Sequence, residues 1–81
     1  MARVVVTKNG KQVASARNLE VLSRYNRTKG YVTKSTAKKL PGGRGLLSVS
    51  FSDGARASVE FADYGILRDW LATKRKRSGW A

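Results

Sequence analysis

LLSVSFSDGARASVEF, residues 46–61, decides the fold. Leu47, Val49 and Phe51 alternate with Ser48 and Ser50, and Ala57, Val59 and Phe61 alternate with Arg56, Ser58 and Glu60. Side chains of a strand point to opposite faces in turn, so this period of two describes two strands, each with one apolar and one polar face. Asp53-Gly54 between them is a short hairpin turn. One face of the resulting ribbon must be covered, and the other is left polar.

Working outward, the same signals recur nearer the N-terminus. Val4, Val5 and Val6 are β-branched, Asn9-Gly10 is a hairpin dipeptide, and Lys11–Ala16 alternates loosely, which predicts a hairpin from Arg3 to Ala16. Asn18 suits a helix N-cap, and Leu19, Leu22 and Tyr25 follow at helical spacing with Glu20 in the first turn. This helix is expected to end near Asn26–Arg27, with Gly30 stopping it. Tyr31–Leu40 reads as an edge strand whose lysines discourage pairing with other chains. The run Pro41-Gly42-Gly43-Arg44-Gly45 is a turn. After the central hairpin, Asp63 caps a second helix with Ile66, Leu67, Trp70 and Leu71 as its apolar stripe. Phe51, Phe61, Tyr64 and Trp70 are expected in the core.

The element order is therefore ββα-β-ββα, an α+β fold with an antiparallel sheet of about five strands and two helices on one face. The two halves align with one gap: Asn18 with Asp63, Leu22 with Leu67, and Tyr25 with Trp70. Residues 1–73 are expected to form a single compact domain, and residues 74–81 a basic, frayed tail.

Composition narrows the function. The 81 residues hold 17 Lys and Arg against five Asp and Glu, a net charge of +12 with no His and no Cys. So large an excess opposes folding by self-repulsion and points to an anionic partner, nucleic acid first among them. Without His or Cys the usual general base, thiol nucleophile and zinc ligands are missing. The five acids show no paired-carboxylate or metal-ligand spacing, so the expectation is a binding protein with no enzymatic activity, metal or cofactor. No apolar run approaches the ~20 residues of a membrane span, and Met1–Thr7 lacks a signal-peptide core, so a cytoplasmic location is expected.

The cations cluster. Between Glu20 and Asp53 there is no acid, while Arg24, Arg27, Lys29, Lys34, Lys38, Lys39 and Arg44 fall in that interval. They are candidate phosphate contacts, joined by Lys74, Arg75, Lys76 and Arg77 near the C-terminus. Tyr31 lies beside cations and is a candidate stacking residue, as is Trp80, which can alternatively anchor the chain end. Arg24, Asn26 and Arg27 share a helix and could reach base edges. The expected partner is DNA or RNA, bound with low sequence specificity. The alternative is an acidic protein bound by a protein-interaction module, or co-assembly as a structural virion or ribonucleoprotein component. A free edge strand also permits a homodimer.

VVVTKNGKQVASARNLEVL (residues 4–22) and FSDGARASVEFADYGILRDWLATKRKRSGW (residues 51–80) resemble small basic proteins of bacterial viruses and prophages, which carry a DG hairpin, a "FADY"-like helix start and a basic end with Trp. The similarity is strongest over Leu47–Trp80. It implies a virus-encoded protein that binds and inhibits a host or defence machine, and it assigns no binding residue.

Overall fold

The two Gly-containing turns set the hairpins. In the computed structural model, which describes residues 4–81, Asn9 and Gly10 have φ of 53° and 77°. Two successive positive φ values make the tight hairpin turn whose twist suits the flanking strands, and Asn and Gly tolerate them best. This turn joins β1 (Val4–Lys8) to β2 (Lys11–Ala16). The expected hairpin start at Arg3 lies outside the described residues. The second turn joins β4 (Gly45–Phe51) to β5 (Arg56–Phe61), and there the Asp53 carboxylate accepts from the Ala55 N–H at 3.0 Å. Between the hairpins lie α1 (Glu20–Thr28) and β3 (Val32–Lys39), and α2 (Tyr64–Arg77) follows β5.

All five strands form one antiparallel sheet in the order β2-β1-β5-β4-β3. The order and direction of β2-β1 are repeated by β5-β4, and each of these hairpins is followed by a helix. Both helices cover the same face. The Tyr25 ring of α1 lies 4.5 Å from that of Phe51, and a Cβ built on Gly45 would come within 2.8 Å of Leu67 Cδ2 on α2. Gly45 and Phe51 are an even number of residues apart on β4, so both contacts are on one side. The glycine at 45 lets the start of α2 approach the sheet backbone. Val4, Val6, Leu22, Leu47 and Leu67 are fully buried in the single core between the layers.

Helix starts follow the capping residues with one shift. Asp63 caps α2 by accepting from Ile66 N at 3.1 Å. The Asn18 side chain accepts from Glu20 N at 2.9 Å, so it stands one residue ahead of the N-cap, Leu19, and α1 begins at Glu20. The helix runs to Thr28, a residue past its expected end, and the N–H groups of Lys29 and Gly30 both return to Tyr25 O.

Two expectations for the C-terminal part require correction. Residues 74–77 are not frayed: they form the last turn of α2. Lys74 Nζ donates to Ser23 Oγ at 2.9 Å and stands 5.6 Å from the Trp70 ring centre, while Arg75 Nη2 donates to Ser35 O at 2.7 Å. These contacts hold a turn whose side chains carry no apolar periodicity. Beyond it Trp80 folds back, 4% exposed, with its ring 5.4 Å from Trp70. The anchoring alternative describes Trp80, and the stacking one does not. The apolar stripe of α2 is also narrower than expected. Leu67 and Leu71 are buried, Phe61, Tyr64 and Trp70 pack half-buried against the core, and Ile66 is 63% exposed.

The indole Nε1 of Trp80 is buried with no hydrogen-bond partner among the described residues. Trp80→Ala should therefore cost about 3–5 kcal/mol of stability in urea unfolding, as large core truncations do. Trp80→Phe should cost much less, because the N–H it removes makes no bond to lose.

Candidate functional site

The sheet face turned away from the helices is built from the polar half of each strand's alternation. Register places its side chains in rows. Lys34 of β3 stands opposite Ser50 of β4, Ser50 opposite Arg56 of β5, Arg56 opposite Thr7 of β1, and Thr7 opposite Gln12 of β2. Four inter-strand spacings make this row about 19 Å long. A second row, about 7 Å along the strands, is Thr36, Ser48 and Ser58, and a third is Lys38, Leu46 and Glu60. A shallow groove of about 450 Å³ follows Lys34, Thr36, Ser48, Ser50, Arg56 and Ser58.

The polar groups in this groove are available. Among the described residues, the hydroxyls of Thr36, Ser48, Ser50 and Ser58 make no hydrogen bond within the protein, and Lys34, Lys38 and Arg56 make no ion pair. Two ion pairs exist among the described residues, Lys8 with Asp53 at 3.8 Å and Arg44 with Glu60. The second neutralises the one acid of the three rows.

The cluster of cations expected from the sequence is thus divided by the sheet. Lys34 and Lys38 lie on the open face. Arg24, Arg27 and Lys29 belong to α1 and its end, in the helix layer on the other side of the sheet. Lys39 alternates to the helix side of β3 at the sheet edge. Arg44 is held by Glu60, and Lys74 and Arg75 are held by Ser23 and Ser35. Lys76 and Arg77 are exposed in the last turn of α2. Tyr31 is 66% exposed at the start of β3. Asn26 Oδ1 accepts from Val32 N at 2.8 Å, so this side chain ties α1 to β3 and is not free to read a base.

Arg56, Ser48, Ser50 and Ser58 were not among the residues singled out from the sequence. Their signal was present in the alternation Arg56, Ser58, Glu60 and Ser48, Ser50. Among the described residues there is no cluster of three or more His, Cys, Asp or Glu that could hold a metal ion, and no helix is long and apolar enough to cross a membrane. No protein family, curated protein or solved structure matches this chain.

At the opposite end of the hairpin from Glu60, the Tyr25 phenol donates to the Asp53 carboxylate at 2.5 Å. That bond and the one from Ala55 N–H hold the Asp53 carboxyl below the usual carboxylate range, with Lys8 adding to the effect. The same bond, with burial and the Asp53 charge, pushes the Tyr25 phenol up to about 12. Both shifts stabilise the fold at intermediate pH. The Asp53 contribution is present above its ordinary value of 3.8 and is lost as pH falls through the lowered one. The Tyr25 contribution is present below its ordinary value of 10.0 and is lost as pH rises toward 12. Tyr25→Phe keeps the ring against Phe51 and removes the bond. Its melting temperature, followed from acid to alkaline pH, should be lower than the parent's at neutral pH and should change less at both extremes.

Proposed function

We propose that this protein binds nucleic acid by its phosphate backbone, with low sequence specificity, through the open face of the sheet. The observation that carries this reading is the row from Lys34 through Ser50 to Arg56, flanked by unpaired hydroxyls. Cations and hydroxyls are the groups that contact phosphate oxygens and position a protein on a duplex without reading its bases. The net charge of +12 supplies the long-range attraction.

Two features favour a duplex over a single strand. The outward residues of the three rows include no aromatic ring on which an unpaired base could stack. The face is also broad, about 19 Å along its longest row, which is wider than the ~12 Å major groove of B-form DNA and suits contact across a backbone.

Fluorescence anisotropy of labelled double- and single-stranded DNA and RNA, over a series of salt concentrations, tests this. Duplex affinity should fall linearly on logarithmic axes. Lys34→Ala and Arg56→Ala should each reduce the magnitude of the slope by about 0.9, the value of one phosphate contact. Lys34→Glu with Arg56→Glu should weaken binding far more than Arg24→Glu with Arg27→Glu, with thermal melts showing each variant folded. Equal losses from both pairs would mean that attraction is spread over the whole surface, and no loss from the first would remove the open face from the site.

A further inference from the structure

A second surface lies on the other side of β3. The helix α2 passes over this edge strand, and a groove of about 420 Å³ runs between them, lined by Ser35, Thr36 and Ala37 of β3 and by Tyr64, Arg68, Leu71 and Arg75 among the residues of α2. Leu40 N donates to Arg44 O at 2.8 Å, continuing the β3–β4 ladder. Antiparallel ladders alternate residues that bond to the partner strand with residues whose N–H and C=O point away. Counting back by that alternation, Thr36 and Lys38 bond toward β4, while Ser35, Ala37 and Lys39 turn their backbone groups to the free edge. Arg75 confirms the direction at one of them, since its Nη2 reaches Ser35 O at 2.7 Å from outside the sheet.

The side chains that charge the groove are cations, and at its Ser35 end the Ser35 hydroxyl donates to Ala81 O at 2.5 Å. Arg68 stands over the Tyr64 ring at 6.0 Å, and Arg75 is fixed by Ser35. Lys39 projects on the same side of β3. Asp69, the nearest acid on α2, is turned about 100° around the helix from Arg68. Neither arginine has a carboxylate partner among the described residues.

Unpaired strand groups beneath a row of cations suit an extended chain of opposite charge. We infer that this groove binds an acidic, extended segment of a partner protein, which adds to β3 as a sixth strand. Its backbone pairs with Ala37 and Lys39, and its carboxylates meet Arg68, Arg75 and Lys39. Backbone pairing of this kind gives affinity, and the side-chain pockets give selectivity. The site adjoins the open face at Thr36, while its cations, Arg68, Arg75 and Lys39, lie on the other side of β3 from Lys34 and Lys38.

A fluorescein-labelled peptide of alternating Glu and Val, about twelve residues long, is the probe. Its anisotropy should rise on titration with the intact protein. Arg68→Glu, an exposed position, should weaken it at least tenfold, and Arg56→Glu on the open face should change it less than twofold. A peptide with Pro in place of each Val keeps its charge but loses half its backbone donors, and should also bind at least tenfold more weakly. Amide exchange should slow at Ala37 and Lys39 when the Val peptide is bound. Absence of binding, equal binding of the Pro peptide, or equal sensitivity to Arg56→Glu would each overturn the inference. So would a tenfold loss of duplex affinity on Arg68→Glu, which would assign the groove to phosphates. The peptide result does not depend on whether the open face binds a duplex.

Discussion

Leu47, Val49 and Phe51 leave one side of β4 and Ser48 and Ser50 leave the other, and the molecule follows from that division. The apolar side has to be kept from water, and in a chain of this size the thin core leaves little reserve. Two helices are needed to cover it: α1 sets Tyr25 against Phe51, and α2 brings Leu67 down to Gly45. Ala57 and Val59 of β5 and Val4 and Val6 of β1 extend the same surface. The polar side needs no cover and receives none. A face left open by the core is where the unpaired groups collect.

Charge is then sorted by this layering. Some cations are built into the structure: Lys8 on Asp53, Arg44 on Glu60, Lys74 between Ser23 and the Trp70 ring, and Arg75 on the edge of β3. Lys74 and Arg75 carry their aliphatic stems across the seam between α2 and its neighbours, so their packing matters as well as their charge. Lys34, Lys38 and Arg56 stand outside these contacts on the sheet. Arg24, Arg27, Lys76 and Arg77 stand outside them on the helices. Excess charge in the sequence is therefore a poor guide to which cations are free.

The sheet was legible in the sequence because its signals are local. Asn9-Gly10 and Asp53-Gly54 mark both hairpins, the period of two gives each strand its faces, and Asp63 opens α2. The α+β class, the two helices on one face and the edge position of β3 follow from these. What was not legible depends on partners distant in the chain. Lys74–Arg77 look like a frayed tail until Ser23 and Ser35 are seen to hold Lys74 and Arg75. Arg44 looks free until the register brings Gly45 beside Phe61 and Glu60 within its reach. Arg24 and Arg27 stand on a helix and Lys34 and Lys38 on the open sheet face, because closeness in sequence says nothing about which layer a residue enters. Arg56 reads only as part of its strand's polar face; in the chain it stands near Asp53 and Glu60, whereas in the sheet its neighbours are Ser50 and Thr7.

The strand order has a further consequence. Moving across the sheet from β2 to β1 and then from β5 to β4 is the same step taken twice, with the strands running in the same senses and a helix laid on the same face each time. A third step would begin with a strand antiparallel to β4, in the position that β3 occupies. The lone strand between the two units thus fills the first place of a missing third. At the other end, β2 faces outward with no counterpart to β3. The two open edges of the sheet are therefore unlike: one is the last strand of the first hairpin, and the other is a strand that belongs to neither hairpin.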